Sequence, residues 1–93
     1  MALPTDYPRL LDSIKHRIQR AQGKAGLAAN RELILLYWEI GCLIANRQEK
    51  EGWGTGVIPQ LAIDLKADAP DLKGFSKRNL SRMVAFYREY RDL

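Results

Sequence analysis

The stretch Val57-VIPQLAIDLKADAPDLKGFSKRNLSRMVAFYREY-Tyr90, residues 57–90, decides how this chain is read. Ile58, Leu61, Ala62 and Leu65 fall at i, i+3, i+4 and i+7, which puts them on one face of a helix. Pro59 fits the first turn of that helix, where a missing N–H costs nothing. Pro70 stops it and biases Ala69 toward extended backbone. A new helix then begins at Gly74-Phe75-Ser76. Ser76 is a favoured N-cap, with Phe75 and Leu80 at the N′ and N4 positions of a hydrophobic staple. Asn79 occupies N3, so the reciprocal Glu or Gln of a full capping box is absent. The helix continues through Tyr90 with Leu80, Met83, Val84, Tyr87 and Tyr90 facing inward.

On a wheel, Leu80, Met83, Val84 and Tyr87 lie within about 100° of one another. Opposite them stand Lys77, Arg78, Ser81, Arg82, Ala85, Arg88 and Glu89. Arg78 and Arg82, at i and i+4, repel by a few tenths of a kcal/mol. Lys77 and Arg78 in the first turn also oppose the helix dipole. Both penalties would be relieved by an anion. A helix, a turn and a basic helix is helix-turn-helix order, in which the start of the second helix meets base edges and flanking cations meet phosphates. Lys73, Lys77, Arg78, Asn79, Ser81, Arg82 and Arg88 are therefore the candidate nucleic-acid-binding residues. Asn79 lies at the margin of the exposed face, where a hydrogen bond to the neighbouring loop competes with a base contact. The connection from Ala69 to Phe75 is longer than the usual three or four residues. A basic protein-binding face and plain solvation are the alternatives to nucleic-acid contact.

Working toward the N-terminus, residues 10–50 are helix-patterned throughout. Leu11, Ile14, Ile18, Ala21, Ala25 and Ala28 form one stripe, and Leu33, Leu36, Ile40, Leu43 and Ile44 a second. The stripe changes phase between Ala28 and Leu33, Gly23 and Gly26 weaken the helix, and Asn30 is placed to cap a new one. Two helices with a break near Gly23 to Asn30 are preferred, although Ala25, Ala29, Leu33 and Leu36 keep phase along one long bent helix. The second helix is apolar over more than one face, as in a helix packed from several sides. Gly41 suits a close helix–helix contact, and Trp38 and Trp53 suit core positions. The glycines of Gly52-Trp53-Gly54-Thr55-Gly56 read as a turn, because a phosphate loop needs a preceding strand and a following lysine. The expectation is a single all-α domain over residues 1–93, a compact bundle of four or five helices. Residues 1–9 would be extended, and residues 57–90 would form the helix-turn-helix-like half.

Composition narrows the function classes. The chain has 93 residues and a net charge of +4. A chain of that size buries about 60 to 65% of its unfolded surface. Residues 73–93 carry six cations against two anions, residues 9–31 six against one, and residues 32–72 three against seven. Two basic segments around an acidic middle favour a polyanionic partner. No apolar run approaches the roughly 20 residues that span a bilayer. The N-terminus lacks the order of a secretory signal. With one cysteine, Cys42, in an apolar helix pattern, a buried inert thiol in a cytoplasmic protein is expected. His16 sits among cations on a solvated face. Glu32 and Glu39 are about two helical turns apart and nothing marks them as a working pair, and no Cys, His, Asp and Glu cluster has metal-ligand spacing. No catalytic residue, metal, cofactor or small-molecule substrate is therefore expected.

Four motifs carry a family resemblance. They are Asn30-Arg31-Glu32-Leu33, Tyr37-Trp38-x-Ile40-Gly41, Gly52-Trp53-Gly54, and Gly74-Phe75-Ser76-x-Arg78-Asn79-Leu80. With them, the chain from about Ile14 to Tyr90 resembles the YhcG N-terminal-domain family of bacteria. The resemblance implies a helical, helix-turn-helix-like DNA-binding module that usually precedes a PD-(D/E)XK-type nuclease domain. On that basis any catalysis lies outside this chain, and double-stranded DNA is the expected partner. A self-association or partner-docking module, such as a homodimer built through the apolar helix from Leu33 to Ile44, is the alternative.

Overall fold

The computed structural model describes residues 5–23, 29–52, 56–68 and 74–91, with the backbone alone at 21–23, 29–32 and 51. Four helices account for these residues: α1 (Tyr7–Gly23), α2 (Ala29–Glu51), α3 (Val57–Asp68) and α4 (Lys77–Tyr90). No strand occurs among the described residues, so the all-α expectation holds. α1 packs on α2 and α3, and α4 packs on α2 and α3, with the α2–α4 interface the most extensive. The bundle therefore runs α1, α2, α4, α3 in spatial order, with a radius of gyration of 12.8 Å.

α1 begins at Tyr7, inside the segment expected to be extended. The Leu10 N–H donates to the Asp6 carbonyl at 3.2 Å. Pro8 falls in the first turn, where it displaces no helical hydrogen bond. Tyr7, Leu10, Ile14 and Ile18 face the core, while Leu11 is half-buried beside it. The expected stripe was thus rotated by one residue at its start. Ala25 and Ala28 lie outside the described residues, and Ala21 is described by its backbone alone.

α1 ends at Gly23 and α2 starts at Ala29, so the break falls where the glycines and the phase change placed it. Asn30 lies within α2 rather than ahead of it. Leu36, Ile40, Ile44 and Ala45 of α2 are buried. Leu33, Ile34 and Leu35 are not: they are 42%, 57% and 47% exposed, which corrects the idea that α2 is enclosed along its length. The reason is length. α2 has 23 residues and α4 has 14, about 34 Å against 21 Å at 1.5 Å per residue.

α2 stops at Gly52, whose φ of 67° is the left-handed conformation that closes a helix at low cost in glycine. Trp53 and Gly54, expected in the turn, lie outside the described residues. α3 contributes Val57, Ile58, Leu61 and Leu65 to the core, and Pro59 sits in its first turn as expected. The phenol of buried Tyr7 donates to Asp64 of α3 at 2.5 Å, and the Gln60 amide donates to the same carboxylate at 3.0 Å. Burial, and then the Asp64 hydrogen bond and charge, hold the Tyr7 phenol well above the ordinary tyrosine range.

Gly41 sets the separation of α2 and α4. A Cβ there would stand 2.0 Å from the Met83 carbonyl oxygen and 3.0 Å from the Tyr87 Cβ. Trp38 is not a core residue. It is half-buried, donates its indole N–H to the Tyr90 carbonyl at 3.3 Å, and meets the Tyr87 ring edge-on at 5.0 Å. It therefore clasps the end of α4. Tyr90, expected inside, is 46% exposed. Cys42 is half-buried rather than buried, and accepts a hydrogen bond from the Asn46 amide at 3.4 Å.

Candidate nucleic-acid interface

The first turn of α4 is built as its residues require. Ser76 has extended backbone (φ −70°, ψ 163°), and its hydroxyl accepts from the Asn79 N–H at 3.2 Å. The Leu80 N–H donates to the Ser76 carbonyl at 2.8 Å, and the Leu80 side chain is fully buried. Phe75 packs on the core edge, its ring edge-on to Tyr37 at 6.4 Å. Leu80, Met83 and Val84 anchor the helix, which leaves Lys77, Arg78, Ser81 and Arg82 in solvent.

Ion pairing sorts the cations of the chain. On α1, Lys15 pairs with Asp68, Arg17 with Glu39 at 2.9 Å, and Arg9 with Asp6 at 3.6 Å. The Asp68 carboxylate hydrogen-bonds the Lys15 ammonium and holds its pKa above the ordinary value. Arg47 of α2 also pairs with Asp6. At the far end of α4, Arg91 meets Glu49 at 3.2 Å, and Arg88 donates to Gln48 at 2.9 Å. Exposed pairs like these contribute about 0–1 kcal/mol each. Their larger effect is to cancel field. Within residues 9–31, Lys15 and Arg17 are matched by acids of α3 and α2, whereas Arg20 pairs with no carboxylate among the described residues.

Among the described residues, Lys77, Arg78 and Arg82 pair with no carboxylate. These three cations and Ser81 share the exposed N-terminal half of α4. Arg88 departs from that group. Its guanidinium reaches α2, where it meets Gln48 and Glu49. Lys73 lies outside the described residues. His16 is on the exposed face of α1, with its ring Nδ1 2.8 Å from the Asp12 carbonyl.

Asn79 is half-buried and does not hydrogen-bond the neighbouring loop through its side chain among the described residues. Instead it lines an open cleft of about 370 Å³ together with Tyr37, Gly74, Arg82, Met83 and Phe86. Tyr37, Gly74 and Phe86 were not among the candidates, because nothing in the helix pattern brings α2 and the turn before α4 to one place. Tyr37 and Gly74 did fall within the motifs of the family resemblance.

A family model, the DUF1016 N-terminal domain, matches residues 13–93. The chain belongs to the DUF1016 N-terminal-domain family. This is the YhcG N-terminal type. No curated protein and no solved structure matches the chain. The DUF1016 match includes all of α2, α3 and α4, hence the unpaired cations, the cleft and Gly41 together. No described helix is long and apolar enough to cross a membrane. No group of three or more potential metal ligands occurs among the described residues.

Proposed function

We propose that this DUF1016 N-terminal domain is a DNA-binding helical module, with α3 and α4 as its helix-turn-helix-like half. One observation carries the reading: the cations without carboxylate partners on α4 are Lys77, Arg78 and Arg82 at its exposed start, whereas Arg88 and the following Arg91 are held by α2. Arginine and lysine at such positions suit phosphate, and arginine also suits guanine edges in a major groove about 12 Å wide. The chain would be the DNA-engaging, non-catalytic part of a cytoplasmic nuclease, with catalysis in a PD-(D/E)XK-type domain elsewhere. The eight residues 69–76 between α3 and α4 exceed the usual helix-turn-helix turn, so α4 would be presented without the tight angle of the strict motif.

Fluorescence anisotropy with a labelled duplex tests this. Three phosphate contacts give a log–log salt slope near −2.7, at about −0.9 each. Arg78→Ala/Arg82→Ala lowers the slope by about 2 and weakens binding at every salt concentration. Absence of binding at low salt, or a double variant that binds like the parent, refutes the reading.

The exposure of Leu33, Ile34 and Leu35 on α2 favours a second reading, in which the domain self-associates or docks a partner while assembling a larger nuclease or defence complex. The two are compatible, since helix-turn-helix domains often bind as dimers. Light scattering after size exclusion separates them. A strict monomer at high concentration removes homo-assembly.

A further inference from the structure

The exposed crest of α4 runs between two clefts of opposite character. On one flank, Ser81, Arg88 and Glu89 face Gln48 of α2 and Ile58 of α3 across about 420 Å³. There Arg88 is already bonded to Gln48, and the Glu89 carboxylate repels a phosphate strand. The other flank holds the cleft of Tyr37, Gly74, Asn79, Arg82, Met83 and Phe86, and among the described residues no acid lines it.

That second cleft is furnished for a flat, polar-edged ligand. Asn79 and Arg82 are three apart on α4, so their side chains are neighbours. Neither has a hydrogen-bonding or ionic partner among the described residues for its side chain. The aromatic rings are braced from outside the cleft: Tyr90 stands edge-on to Phe86 at 5.4 Å, and Phe75 edge-on to Tyr37 at 6.4 Å. Gly74 keeps the mouth open. Its φ of +99° excludes most side chains, and a Cβ there would stand 3.2 Å from the Tyr37 hydroxyl.

A side-chain amide matches the N6/N7 edge of adenine, and a guanidinium matches the O6/N7 edge of guanine. Aromatic rings supply stacking for any base. About 370 Å³ is at the small end of ligand pockets and has room for one base. We propose that this cleft receives a single unpaired purine of a DNA strand whose phosphates lie across Arg78 and Lys77. This rests on the DNA-binding reading above. It adds that the preferred substrate is DNA with an unpaired purine, at an overhang, a bulge or an opened end, rather than an uninterrupted duplex.

The experiment compares a blunt duplex with the same duplex bearing one unpaired adenine, by anisotropy with the full chain. The unpaired base tightens binding about tenfold, within the range that base–aromatic stacking supplies. Phe86→Leu removes that preference and leaves blunt-duplex affinity within about twofold, and Asn79→Ala removes the preference as well, both with unchanged circular dichroism. In parallel, 2-aminopurine at the unpaired position loses fluorescence on binding to the parent chain, and does not on binding to Phe86→Leu. Equal affinity for the two DNAs, with normal salt-dependent duplex binding, overturns the cleft assignment and leaves the DNA-binding reading intact. No binding to either DNA overturns both. A preference that survives both variants overturns the cleft assignment alone.

Discussion

Replacing Gly41 by alanine is the most direct test of how α4 is held. The new Cβ would lie 2.0 Å from the Met83 carbonyl oxygen and 2.6 Å from the Met83 carbonyl carbon. Ordinary contact begins near 3.4 Å, so the helices must part by roughly 1.4 Å at this point or α4 must slide. The obstruction is backbone, which no rotamer change relieves, so the cost belongs at or above the top of the ~1–3 kcal/mol range for overpacking. Alanine recovers about 1 kcal/mol of helix propensity over glycine. A net loss of about 2–3 kcal/mol remains, a large part of the roughly 5–14 kcal/mol expected for a domain this size. It corresponds to a fall in Tm of about 10–20 °C. Urea denaturation followed by circular dichroism measures the difference. Ala85→Gly, exposed in the interior of α4, gives the propensity effect alone and should cost about 1 kcal/mol. If Gly41→Ala is as stable as the parent or more so, α2 and α4 do not approach through this glycine and the packing described here is wrong.

Three further outcomes are expected. Arg78→Glu relieves the repulsion from Arg82 and suits the helix dipole, so it stabilises by about 0.3–1 kcal/mol while abolishing duplex binding; a simple destabilised variant in thermal melts would contradict this. Ser76→Ala removes the hydroxyl that accepts from the Asn79 N–H and costs about 1 kcal/mol in urea denaturation. Tyr7→Phe leaves Asp64 with the Gln60 amide alone and costs about 1.5–3 kcal/mol near neutral pH, the range for a hydrogen bond to a charged group. The Tyr7 phenol titrates above its ordinary value when folded, so its contribution is complete below pH ~10 and fades as pH rises beyond it. The stability gap between parent and Tyr7→Phe should therefore narrow above pH ~10, and a constant gap would exclude the Tyr7–Asp64 contact.

What was legible in the sequence was local. Ser76 announces a helix start through its own hydroxyl, Gly23 and the phase change announce a break, and Gly41 signals a close approach within an apolar run. What was not legible depended on partners far along the chain. Leu10 and Leu11 both sit within helical reach of Ile14, and only the placement of α2 and α3 makes Leu10 the core residue. Trp38 looks like a core aromatic until the Tyr90 carbonyl, 52 positions away, claims its N–H. Counting charge by segment made residues 9–31 the more basic piece. That count cannot see Glu39 or Asp68 arriving beside Arg17 and Lys15. The cleft was invisible for the same reason, since its wall comes from α2 and its mouth from the turn at Gly74.

The sorting of charge also explains why the start of α4 tolerates cations that weaken it. Repulsion between Arg78 and Arg82 and opposition to the dipole each cost a few tenths of a kcal/mol, and the Ser76 cap returns about 1 kcal/mol at the same turn. Buried Leu80 and the Gly41 contact hold the helix independently of those charges. Stability therefore permits Lys77, Arg78 and Arg82 without requiring them. Lys15, Arg17, Arg88 and Arg91 have a carboxylate or amide partner, while Arg20, Lys50 and Lys66 stand singly on other helices without one among the described residues. A solvated surface chosen only for solubility would have no reason to keep the pairs at one end of α4 and leave the other end open. An anion supplied from outside completes the pattern, and the opposite effects of Arg78→Glu on stability and on binding separate that cause from chance.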